Sequence, residues 1–178
     1  MRPAGQAELS SLFTDLAQKM GLSRPAGQCF AAIWRAAQAP CADDLVADLG
    51  LSRSNISTAL KELRQWGLID AARSPGDRKD YFQAPADPWA IARRILAERR
   101  RRDLAPALEQ LYAIEVSSPD ARVAALCEVV EAFSNWMAGL IRLDPAELAQ
   151  HVGANAPTAV EAEAEGDESR KKKKKKKG

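Results

Sequence analysis

The sequence predicts a mainly α-helical protein with one small β-hairpin, and three observations carry that expectation. Apolar residues return at helical spacing in successive segments between Glu8 and Leu143. Glycine and proline fall where such segments need to end or begin. Strand-like patterning occurs once, between Leu68 and Gln83, around the turn residues Ser74-Pro75-Gly76-Asp77.

Taken in order, Glu8–Met20 sets Leu9, Leu12, Phe13, Leu16 and Met20 on one stripe, and Gly21 closes it. Ser23 predicts an N-cap, with Pro25 just inside a second helix bearing Cys29, Phe30, Ile33 and Trp34. Ala39-Pro40 stops that helix. A short third helix, Ala42–Leu49, turns Leu45, Val46 and Leu49 inward and ends at Gly50. Ser52 then caps a fourth helix running to Trp66, with Ile56, Ala59, Leu60 and Leu63 as its buried stripe and Gly67 as its stop. Leu68–Arg73 and Lys79–Gln83 form the two strands. Asp87-Pro88 restarts a helix through Trp89, Ile91, Ile95 and Leu96 to Arg102, and Pro106 kinks it or opens another through Ile114. Ser118-Pro119-Asp120 opens the longest apolar helix, to Leu143, and a last short helix follows Asp144-Pro145. From Gly153 onward Val160 is the only branched aliphatic, so this Ala/Glu-rich stretch and Lys171–Lys177 bury too little to offset chain entropy. The expected organisation is a winged helical unit over 1–86, linker and C-terminal helices over 87–152, and a disordered tail over 153–178.

Charge is unevenly placed along the 178 residues. Residues 1–152 hold 18 basic and 19 acidic side chains, whereas 153–178 hold 8 basic and 5 acidic. The weak net basicity therefore belongs to the tail, and any cationic surface on the folded part must be local. Cys29, Cys41 and Cys127 are too scattered for a disulfide framework or a CxxC metal pair, and the single His151 lies far from them. No metal or cofactor is expected. No G-x-S-x-G, P-loop or H-E-x-x-H occurs, so the chain reads as non-enzymatic. The opening MRPAGQAELSS shows no secretory h-region, and the longest uncharged stretch, Leu148 to Val160, is well short of a membrane span. The expectation is a soluble cytoplasmic protein with reduced thiols and no membrane partner.

Three helices followed by a two-stranded hairpin is the order of a winged helix-turn-helix. The fourth helix adds chemistry to the order. With Ile56 taken as core-facing, Ser54, Thr58, Lys61 and Gln65 fall within about 40° of the opposite side, and Ser57 flanks them. Short hydroxyls let a backbone approach a duplex closely and donate to phosphates or base edges. Arg53 and the free amides of the first turn suit phosphate, and Lys61 and Arg64 add charge further along. The hairpin tip, Ser74-Pro75-Gly76-Asp77-Arg78-Lys79, carries two adjacent cations placed to reach a minor groove, with Asp77 orienting Arg78. The candidate DNA-binding set is Ser52, Arg53, Ser54, Asn55, Ser57, Thr58, Lys61, Arg64, Arg73, Arg78 and Lys79. The partner implied is a double-stranded DNA operator. The rival reading is a winged-helix module that contacts a protein instead.

The run Ala42 to Ile69, ADDLVADLGLSRSNISTALKELRQWGLI, resembles the winged-helix core of MarR-type bacterial transcription regulators. Gly76-Asp77-Arg78-Lys79-Asp80-Tyr81-Phe82, then Asp87-Pro88-Trp89 and the arginine-rich helix, resemble the GbsR-like branch of that superfamily. Gln83 to Trp89 replaces the Leu-Thr-x-x-Gly stretch usual after the wing in MarR members, which favours the GbsR-like branch over the MarR aromatic-acid pocket. The resemblance spans residues 8–145 and implies a DNA-binding repressor that answers to a small molecule, with choline and osmoprotectant control among the roles of that branch.

The Asp120–Leu143 helix is apolar almost all round, leaving Glu128, Glu131, Asn135 and Arg142 as a narrow polar strip. Such a helix must be covered on both sides, by a second subunit or by the Glu8–Met20 helix. A homodimer is expected, presenting two recognition helices to major grooves about 34 Å apart. Arg93, Arg94, Arg100 and Arg101 share a side of the linker helix, while Arg99 and Arg102 point elsewhere. They either touch DNA backbone or pair with Glu98, Asp103, Glu109 and partner acids. Trp34, Trp89, Tyr112, Phe133 and Trp136 are candidates for an aromatic effector pocket, suited to a quaternary ammonium group, or are simply core. The cysteines read as inert filler rather than sensors, and Lys171–Lys177 adds phosphate affinity without specificity.

Overall fold

The computed structural model describes residues 4–73 and 78–155. Residues 74–77 of the expected hairpin tip and the tail from 156 lie outside the described residues. The helices are α1 (Ala4–Lys19), α2 (Arg24–Arg35), α3 (Ala42–Leu49), α4 (Arg53–Gln65), α5 (Pro88–Arg99), α6 (Ala105–Ser117), α7 (Ala121–Arg142) and α8 (Pro145–Asn155). Strands β1 (Asp70–Ala72) and β2 (Tyr81–Gln83) sit between α4 and α5. Gly153 and Ala154 thus end α8 rather than begin a tail.

Local chemistry explains each boundary. The Ser23 hydroxyl accepts the Ala26 amide, and Ser52 accepts the amide of Asn55. Asp87 and Asp120 cap α5 and α7 the same way. At the end of α4, Gly67 adopts φ +64°, and the amides of Gly67 and Leu68 return to the carbonyls of Arg64 and Leu63. That is a Schellman closure, and its left-handed residue is strained for any side chain with a Cβ. It drives Leu68 and Ile69 into the core, both almost fully buried. Pairing therefore starts at Asp70, and the two strands are shorter than the sequence pattern predicts. They pair antiparallel with Ala71 opposite Phe82. The Phe82 amide bonds the Pro40 carbonyl at 2.9 Å, and Tyr81 bridges Cys41, so the hairpin is fastened to the chain entering α3.

The core joins α2, α3, α4, β2 and the start of α5, with Leu68 from the turn after α4: Ala26, Cys29, Phe30, Ile33, Leu45, Ile56, Leu60, Leu63, Leu68, Phe82 and Ile91. The expected α4 stripe is its centre. The expected α1 stripe holds in part: Phe13 packs on the core and Met20 is half-buried, but its leucines do not turn inward. Leu9, Leu12 and Leu16 face outward, Leu12 being 53% exposed, and the buried positions are Thr14 and Ala17. The cause is Gly27, where α2 comes so close that an added Cβ would lie 3.0 Å from Thr14 Cα and from Ala17 Cβ. Only the small-residue side of α1 fits that approach.

At Pro106 the second alternative holds, since α6 opens there with the proline in its first turn. A π-helical turn, Arg100–Leu104, joins α5 to α6, with the Ala105 amide bonding the Arg100 carbonyl five residues back. Proline cannot donate to the carbonyl four residues earlier, and the widened turn accommodates the loss. α7 packs on α5 and α6, and α8 packs on α5, with Cys127, Met137, Leu140 and Leu148 buried. Since α1 packs chiefly on α2, it does not supply the second cover for α7. By length and mean hydropathy alone, α7 is long and apolar enough to cross a membrane. Glu128 and Glu131 interrupt its apolar run, and one face of it packs on α5 and α6.

Candidate nucleic-acid interface

The turn between α3 and α4 is short because Gly50, at φ +65°, closes α3 and Ser52 opens α4 at once. α4 is held from behind. Glu62 accepts the Ser23 amide at 2.8 Å and the Ser23 hydroxyl at 2.5 Å, locking α4 to the start of α2. Ile56, Ala59, Leu60 and Leu63 fill the core, which leaves Ser54, Asn55, Ser57, Thr58, Lys61, Arg64 and Gln65 exposed on the outer face.

That face and the hairpin form two walls of one groove of about 560 Å³, lined by Arg53, Ser57, Lys61, Arg64 and Gln65 on one side and Asp80 and Phe82 on the other. Arg73, Arg78 and Lys79 are exposed at the hairpin. Lys61, Arg64 and Arg78 have no ion-pair partner among the described residues. The other cations are already engaged. Arg73 bonds Asp80 at 2.8 Å. Arg53 pairs with one oxygen of Asp43, and Lys79 lies 3.3 Å from the other. The Arg53 guanidinium, then Lys79, holds the Asp43 carboxyl below the usual carboxylate range. Asp44 beside it is lowered chiefly by the Cys41 amide, which it accepts at 2.9 Å as part of a capping box. Asp43 is the member of this constellation that sequence reasoning missed. Nothing in its spacing announces a partner ten residues away on the next helix and another on the hairpin.

The arginines of the linker are braces. Arg94 donates to the Gly67 carbonyl at 2.5 Å and to Asp70 at 3.2 Å. Arg102 lies over the Trp66 ring, 5.2 Å from its centroid. On the other side, Arg93 reaches the Leu143 carbonyl and Arg100 the Ser134 carbonyl, 3.3 and 3.0 Å away. Arg99 pairs with Asp103 and Arg101 with Glu98. All six arginines thus have partners within the protomer, and Arg93 and Arg94 tie helix ends to cations as the helix dipole favours.

The five aromatic effector candidates do not gather into one wall. Trp34 stacks on Phe13 at 5.1 Å beside the core of α1 and α2. Phe133 and Trp136 stack on each other at 5.6 Å on the exposed side of α7. Tyr112 hydrogen-bonds Glu131 across α6 and α7, which raises its pKa, and Trp89 is exposed at the start of α5. All three cysteines are buried and free. Burial pushes the Cys29 thiol up to about 12, and burial followed by Glu115 raises Cys127. Neither favours the reactive thiolate.

A recognition-type helix and a hairpin on one groove define a winged helix-turn-helix. Residues 42–80 match the family model of the MarR family. A solved transcriptional regulator superposes with a TM-score of 0.62 at 20% identity, over 77% of this chain and 95% of its own. A MarR family transcriptional regulator from Rhodococcus sp. RHA1 gives 0.38 at 16% identity, over 64% of this chain and 87% of its own. Another MarR family transcription regulator gives 0.39 at 19%, over 78% and 86%. At 20% identity the first of these likenesses is one of fold. No curated protein matches the sequence.

Proposed function

We propose that the chain is a sequence-specific DNA-binding transcriptional regulator, non-enzymatic and homodimeric, of the GbsR-like branch of the MarR superfamily. The observation that carries this reading is the shared groove: Ser57, Lys61 and Arg64 of α4 face Asp80 and Phe82 of the hairpin across it, and Arg73, Arg78 and Lys79 are exposed on the same hairpin. Ser52 to Arg64 dock in a major groove, and Arg78 enters the neighbouring minor groove. Residues 1–86 form the DNA-binding unit, and 87–152 pair the protomers. The Asp87-Pro88-Trp89 start of α5 supports the GbsR-like branch. Repression relieved by a small molecule completes the reading. Because the five aromatic candidates are dispersed, the effector binds away from them as a set.

The test is a salt-dependent shift of labelled duplex taken from upstream of the protein's own gene. Lys61→Ala is expected to weaken binding across sequences and to lower the salt slope by about 0.9. Arg78→Ala is expected to lose most affinity where the flanks are A·T-rich. Parent-like binding by both variants defeats the docking model, and no shift at low salt identifies a protein-interaction module instead.

A further inference from the structure

Asp43 stands between the two elements that face DNA and belongs to neither. One carboxylate oxygen takes Arg53, on the first turn of α4, and the other takes Lys79, on the hairpin. A phosphate diester also presents two non-bridging oxygens, so two cations gathered around one carboxylate suit one phosphate equally well. The first turn of α4 adds amides that favour the same charge. All three side chains are well exposed, at 74% for Arg53, 45% for Asp43 and 54% for Lys79, so the pairs are weak and exchangeable. Asp44 does not share the role, since its carboxylate is committed to the Cys41 amide.

We propose that Asp43 is a built-in phosphate surrogate: it holds Arg53 and Lys79 at phosphate spacing in the free protein and limits affinity for DNA by competing for them. The inference rests on the DNA-binding reading and adds to it a brake that acts on every sequence alike. Its depressed pKa keeps Asp43 charged through the neutral range, so protonation does not release the brake. A duplex phosphate releases it, and the displaced carboxylate is left facing the DNA backbone.

The experiment titrates a labelled mixed-sequence duplex with the full chain over a range of salt. Asp43→Asn keeps the shape of the side chain and removes its charge. It is expected to tighten binding about three- to tenfold near 0.1 M salt and to steepen the log–log salt slope by about one. In that background Arg53→Gln is expected to cost more affinity than in the parent, because Arg53 no longer divides its charge. Asp44→Asn, which chiefly disturbs the cap of α3 and touches Lys79 only through its field, is expected to lower the melting temperature and to tighten binding less than Asp43→Asn does. Unchanged or weaker binding by a folded Asp43→Asn overturns the proposal and leaves Asp43 a scaffold for the hairpin. If neither parent nor variant binds duplex at low salt, the DNA-binding reading falls and takes this inference with it.

Discussion

Cys29 is fully buried on α2, where a charged sulfur has no solvent, and the fold keeps it protonated up to about 12 against an ordinary value of 9.0. The sign of the consequence is fixed. Below pH 9.0 folded and unfolded chains both hold the proton, and the contribution to stability is intact. Between 9.0 and about 12 the unfolded chain releases it first, so stability falls as pH rises. The expected extra loss is at most about 1.4 kcal/mol per pH unit. Urea denaturation at rising pH checks this: the Cys29→Ala curve is expected to decline less steeply than the parent's, and parallel curves contradict it. At this scale the sequence was legible where a capping side chain stands directly before its own helix, as with Ser23, Ser52 and Asp87. It was silent where a charge joins two elements. Asp43 and Asp44 are identical neighbours on paper, yet Asp44 caps the start of α3 while Asp43 reaches across to α4 and the hairpin.

Among elements, the contact of α1 with α2 shows propensity and packing in conflict. Alanine in a helix interior is favoured over glycine by about 1 kcal/mol, so Gly27→Ala looks stabilising from the sequence. In the fold its Cβ would meet Thr14 Cα at 3.0 Å and the Thr14 carbonyl oxygen at 3.2 Å, backbone atoms that have little room to give. A net destabilisation of about 1–3 kcal/mol is expected, read as a drop in melting temperature with helicity retained. A variant at or above the parent's melting temperature contradicts it. The same close approach explains why the leucine stripe of α1 misled: periodicity finds the apolar side of a helix, but here small residues won the contact. The remaining helices were legible through caps and terminators. The π-helical turn was not, because Pro106 announces a disruption without saying which one.

At the scale of the molecule, one protomer leaves apolar surface open on two fronts. Leu9, Leu12 and Leu16 lie outward on α1, and Leu126, Val129, Phe133 and Trp136 on α7, with Val129 65% exposed and Trp136 55%. Surface of that extent supports the proposed second protomer. Trp136→Glu is expected to shift the sedimenting species from dimer to monomer and to weaken duplex binding, while helicity stays near the parent's. Persistence of the dimer places its seam elsewhere. The apolar girth of α7 was legible from composition, but which helix covers it was not, since that depends on how α1 and α2 meet. Arg93 and Arg94 are adjacent on α5, yet one grips the closing carbonyl of α7 and the other the carbonyl just past α4. They act as a crankpin between two shafts: in the proposed dimer a shift of α7 at the seam would pass through them to α4, and the spacing of the two recognition helices would follow how tightly the protomers meet.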